Sequence, residues 1–205
     1  MTNIFLSQFL AWAPSIFIFL ILILAIFHSL SARQKYFNIF RKLSFKKLVY
    51  FVLGTSAVFD FSLVLIQYFV WSGNGFSVFF LPPYQPWSYF ISYCFFHFFL
   101  ANIITLFISS LIFFVFKIYQ KYRPGFINNN ELFLLFLASL LISWPKIIIF
   151  VGLFLGLGII YVLFNNIILK RPGINWISLI LLALILSLLG ASYLLQVFNL
   201  NVLWI

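Results

Sequence analysis

Acidic side chains are almost missing from this chain: Asp60 and Glu131 are the only two in 205 residues, against 12 Lys and Arg. Charged residues of both signs make up 7% of the sequence, where a soluble domain carries about 25%. That scarcity excludes an ordinary soluble globular domain. A single cysteine, Cys94, excludes an internal disulfide and any cysteine-based metal site. No phosphate-binding loop, zinc motif or Ser/His/Asp constellation is present, so neither a metal nor a cofactor is expected. The net charge of +10 does not point to nucleic acid. The basic residues stand between apolar runs, where Lys and Arg hold loops on the cytoplasmic side of a membrane.

Hydrocarbon is what the chain has in plenty. Hydrophobic residues make up 65% of it, and several apolar runs exceed the ~18 residues that identify a spanning helix. The chain therefore reads as an all-α, polytopic membrane protein whose first partner is the lipid bilayer. Phe alone accounts for 31 residues. Phe, Ile, Asn and Lys all have AT-rich codons, so part of this composition reflects genomic base content.

The apolar runs predict a six-helix bundle forming a single transmembrane domain over residues 1–205, with spans at 4–27, 48–71, 88–116, 131–142, 147–169 and 175–198. No charge precedes the first span, while Arg33 and Lys35 follow it. A signal peptide has the opposite order, so the N-terminus is placed outside. Residues 31–47 carry Arg33, Lys35, Arg41, Lys42, Lys46 and Lys47, interleaved with Phe37, Phe40, Leu43 and Phe45. That pattern suits an amphipathic helix on an anionic cytoplasmic surface, or equally a plain basic loop. Lys117, Lys121 and Arg123 close the third span, and Lys170 and Arg171 the fifth. Of the 12 Lys and Arg only Lys146 then falls outside, and both termini are outside.

A carboxylate in hydrocarbon is costly unless protonated or paired, and it marks a functional site by default. Asp60 is such a group. It lies thirteen residues past Lys47, about 20 Å from the inner boundary at about 1.5 Å per helical residue. Asn102 and Thr105 fall near the same depth on the third span and are the expected interior partners of Asp60. Two accounts stay open: a neutral carboxyl hydrogen-bonded to Asn102 or Thr105, or a working acid. His97 falls near the outer boundary as a candidate proton-relay partner, and it begins a stripe with Ala101, Thr105 and Ser109 at helical spacing. Gly152 with Gly156, and Ser187 with Ala191, have the spacing that lets helices approach closely. Glu131 is expected to open a helix capped by Asn129 or Asn130, where its charge meets the N-terminal dipole.

Residues 131–171, ELFLLFLASLLISWPKIIIFVGLFLGLGIIYVLFNNIILKR, have a further rhythm. They resemble the second half of a prepilin (type IV leader) peptidase, in which a GxGD motif opens a helix, a Gly-Trp-Pro turn follows, and a Gly-rich helix ends in basic residues. Asn128-Asn129-Asn130-Glu131 stands where GxGD would be, and Ser143-Trp144-Pro145 stands at the turn. Neither glycine of GxGD is present, its Asp is replaced by Glu131, and the family's paired-cysteine region is missing. The resemblance implies Asp60 and Glu131 as the catalytic pair of an intramembrane aspartic-type peptidase. It also implies leader-bearing pilin-like substrates and a bacterial cytoplasmic membrane, with the missing motifs implying lost or altered peptidase activity. Two other classes fit the composition. One is a small hydrophobic subunit of a respiratory or ATP-synthase complex, bound to other membrane proteins such as those of the mitochondrial inner membrane. The other is a proton-coupled carrier using Asp60.

Overall fold

The computed structural model of the chain describes residues 20, 21 and 23, 44–73, 75–164 and 175–198. Among these the chain is helical, with no strand. Four helices are long and apolar enough to cross a membrane: α1 Phe45–Ser72, α2 Trp87–Tyr122, α4 Lys146–Phe164 and α5 Trp176–Val197. Between α2 and α4 lies a shorter apolar helix, α3 Asn129–Leu141. Of the first expected span only Leu20, Ile21 and Ile23 are described, all in helical backbone. The remainder of that span, most of the basic segment 31–47, and Lys170 with Arg171 lie outside the described residues.

Each helix begins and ends where its sequence supplies a cap or a break. The Ser44 hydroxyl accepts the Lys47 N–H and opens α1, so the last residues of the expected basic loop belong to the helix. At its other end the Gly73 N–H closes onto Phe69 O at 3.1 Å. A 3₁₀ turn at Ser77–Phe80 and the prolines 82, 83 and 86 then lead into α2. Trp71, Phe80, Phe90 and Tyr93 lock this end of the molecule, with ring centroids 4.7–5.6 Å from Trp71. After α2, Gly125 takes φ +91°, a backbone region that a side chain disfavours, and turns the chain toward α3. Gln120 Nε2 donates to Ile127 O at 2.7 Å, and Trp176 Nε1 donates to Phe126 O. Both bonds pin the turn between the ends of α2 and α5.

The cap of α3 lies earlier than expected. Asn128, not Asn129 or Asn130, is the N-cap, and Glu131 accepts the Asn128 N–H at 2.8 Å in a capping box. Lys117 Nζ goes to Asn129 Oδ1 at 2.9 Å and to Gln120 rather than to Glu131. Glu131 therefore acts on its own helix start. Glu131→Gln keeps the reach and the acceptor and should leave the unfolding midpoint in detergent unchanged, while Glu131→Ala should cost about 1 kcal/mol. A loss well above that from Glu131→Gln would mean that the charge serves more than the cap.

α3 is the centre of the fold, packing against α1, α2 and α5, while α4 packs mainly on α5. Leu132, Leu135, Ile147, Phe150, Ile180 and Ala183 are each 0% exposed. A helix apolar on all sides, as α3 is beyond its first turn, belongs inside a bundle. It is also short. Its 13 residues reach about 20 Å, while the hydrocarbon core is about 30 Å thick. α1 and α2, with 28 and 36 residues, run on beyond its end.

Candidate functional site: a polar cavity beyond the end of the short helix

The gap left beyond α3 is a cavity of about 690 Å³ between α1, α2 and the turn from α3 to α4. From α1 it takes Thr55, Ser56, Asp60 and Ser62, and from α2 His97 and Asn102. Leu140, Leu141 and Ser143 form its floor at the end of α3. The turn at Ile142–Pro145 borders this space through Ser143.

Asp60 is 6% exposed. Asn102 Nδ2 donates to both of its carboxyl oxygens, at 2.9 and 2.8 Å. The amide is thus the donor, and of the two expected partners it is Asn102 that pairs with Asp60. No Lys, Arg or His forms an ion pair with Asp60 among the described residues. Thr105, the other expected partner, faces elsewhere. Its hydroxyl donates to Ala101 O at 2.8 Å and accepts the Trp144 N–H at 2.9 Å, tying the α3–α4 turn to α2.

His97 is displaced from the expected stripe by a local change of helix type. Residues Phe95–Phe99 form a π turn, in which the Leu100 N–H reaches Phe95 O. In a regular α-helix residues five apart point about 140° from each other at 3.6 residues per turn. The wider π turn brings His97 toward the direction of Asn102, and both line the cavity. Thr105 and Ser109 are buried instead, at 3% and 0% exposure. The His97 ring stacks on Tyr93 with centroids 4.0 Å apart, and its Nδ1 donates to Tyr93 O at 2.9 Å. His97 makes no hydrogen bond to Asp60.

Asp60 and Glu131 are not brought together. Asp60 is bonded at the level of Asn102, and the start of α3 is bonded to Lys117. Those two α2 residues are fifteen apart, about 22 Å along a regular helix. An aspartyl pair sharing a proton requires carboxyls in contact, so this geometry forms no such dyad.

The close-packing pairs fare differently. Ser187 and Ala191 are both 0% exposed. A Cβ on Gly152 or Gly156 would meet nothing within 4 Å among the described residues, whereas one on Gly158 would sit 3.7 Å from Leu179. The glycine in contact with α5 is therefore Gly158. Thr55, Ser56 and Ser62 line the cavity and are not among the residues expected from the sequence. The signal was available, since Ser56 precedes Asp60 by four residues and Thr55 precedes Ser62 by seven, both spacings of one helical face. Comparison with protein-family models, with curated proteins and with solved structures gave no match for this chain.

Proposed function

We propose that this integral membrane protein binds a small ligand in the Asp60 cavity, as a carrier does, and that it does not cleave peptides. The observation that carries the reading is a buried acid with no cationic partner among the described residues, facing a cavity large enough for a small molecule. Sites for small molecules have volumes of about 300–1,000 Å³ and are mostly apolar with a few placed polar groups. An intramembrane acid facing a cavity marks a substrate or ion path. The likeness of residues 131–171 to a prepilin peptidase is kept as a likeness of scaffold, without its chemistry. The topology that accompanies this reading keeps six spans with both termini outside. The Lys117–Arg123 end is then inside and the cavity opens outward.

Single cysteines in a Cys94→Ala background test the reading. Ser62→Cys, on the cavity wall, should react with a charged methanethiosulfonate reagent added from outside. Phe61→Cys and Phe107→Cys, at residues 63% and 69% exposed that this reading sets against lipid, should not. Equal reactivity at Ser62 and Phe61 would remove the cavity as a water-accessible ligand site. Wild type and Asp60→Asn should be equally inert toward a leader-bearing peptide. Cleavage by wild type that is lost in Asp60→Asn would restore the peptidase.

A further inference from the structure

We infer that the cavity selects an organic ammonium ion, a protonated amine carried on an apolar body. The inference rests on the reading of the Asp60 cavity as a ligand site and names the ligand's chemical class.

The argument is a census of protons on the cavity wall. Asn102 Nδ2 spends its hydrogens on Asp60 and toward Phe98 O at 3.5 Å, which leaves Oδ1 as the free end of the amide. Tyr93 O can only accept, so His97 Nδ1 donates to it and is not turned to the cavity. The Thr55 hydroxyl donates to Phe51 O and Val52 O, that of Ser56 to Leu53 O, and that of Ser62 to Val58 O. Each hydroxyl therefore turns lone pairs, not hydrogen, to the cavity. The remaining hydroxyl, on Ser143, is exposed at the turn. The bonded hydroxyls and the Asn102 amide thus offer acceptors around one acid that has no cationic partner among the described residues. A ligand that fits must bring donors and positive charge, and ammonium-to-carboxylate bonds are among the strongest available.

An inorganic cation fits less well. Calcium takes six to eight oxygen ligands and magnesium a near-ideal octahedron. No group of three or more His, Cys, Asp or Glu that could hold a metal ion occurs among the described residues. Much of the remaining wall is hydrocarbon, with Val52, Leu63, Phe98 and Leu140 facing the same space as Asp60. That surface matches the apolar body of an amine and offers nothing to a hydrated ion.

The test uses the full chain in lipid nanodiscs, with empty nanodiscs as the partitioning blank. Calorimetric titrations compare 4-phenylbutylamine, 4-phenyl-1-butanol and 4-phenylbutyrate, which share one body and differ in head group. Sodium chloride is titrated alone. The amine should bind about tenfold or more tighter than the alcohol, the scale of one charge-assisted contact, and the acid weakest. Asp60→Asn should reduce the amine's advantage to nearly nothing. Asn102→Lys, which supplies its own ammonium to Asp60, should do the same and carries the test if Asp60→Asn fails to fold. Gly54→Leu fills open space on the cavity wall and should weaken amine and alcohol alike. Equal binding of amine and alcohol, with both weakened by Gly54→Leu, would overturn the ammonium inference and leave the ligand site standing. Preference for the acid, or displacement of the amine by sodium through Asp60, would overturn it too. If no probe binds wild type, or Gly54→Leu changes nothing, the ligand-site reading itself falls and the inference with it.

Discussion

Thr105→Val is expected to lower the free energy of unfolding by about 1–3 kcal/mol, measured by SDS titration from mixed micelles. Valine has nearly the shape of threonine but no hydroxyl, and the Trp144 N–H loses the acceptor it uses at 2.9 Å. Removing one partner of a part-buried hydrogen bond costs desolvation of the group left behind. Thr105→Ser keeps the oxygen and should recover most of the loss. The turn that Thr105 holds carries Ser143 and the end of α3, the floor of the cavity. Thr105→Val should therefore also loosen ligand binding, although the threonine does not line the cavity. Equal stability of the valine and serine variants would show that the bond contributes nothing.

The second large effect is expected at Ala183, which is 0% exposed on α5. Ala183→Leu adds volume where none is free, and overpacking of this kind costs about 1–3 kcal/mol. Ser187→Leu should behave similarly, since Ser187 is also 0% exposed and its hydroxyl is spent on Leu184 O. Gly152→Ala and Gly156→Ala should be neutral or slightly stabilising. Their Cβ positions meet nothing within 4 Å among the described residues, and alanine exceeds glycine in helix propensity by about 1 kcal/mol. The same SDS titration separates the two groups. A destabilised Gly156→Ala beside an unaffected Ala183→Leu would reverse this account of which faces are in contact.

Much of this fold is legible in the sequence because apolar runs and breakers are local signals. The runs at 48–71, 147–169 and 175–198 lie close to helices found at Phe45–Ser72, Lys146–Phe164 and Trp176–Val197. The pairing of Asp60 with span three is legible from depth alone. Depth cannot choose between Asn102 and Thr105, which lie within one turn of each other. The rotation of α2 against α3 decides that, and it is a tertiary fact. A glycine pair spaced by four says that some helix could approach and does not say which face is met, so Gly158 was passed over for Gly152 and Gly156. The π turn had no signal at all. Residues Phe95–Phe99 read FFHFF, and four phenylalanines look the same in either helix type. The run at 131–142 lies within two residues of the helix Asn129–Leu141. The consequence of so short a run, an unfilled volume beside Asp60, appears only when its longer neighbours are set next to it.

The shortness of α3 also has an electrical meaning. A membrane potential falls across the poorly conducting part of a membrane, and a water-accessible cavity is not part of it. In the proposed orientation the outer solution reaches the end of α3, so the insulating layer beneath Asp60 is about the length of that helix, roughly 20 Å. A cation arriving at Asp60 from outside has then crossed little of the field, and its affinity should hardly respond to voltage. One elementary charge moved through the whole drop changes energy by about 2.3 kcal/mol per 100 mV. Nearly all of that work would be concentrated on the steps that carry a charge from Asp60 past the buried leucines of α3 to the level of Lys117.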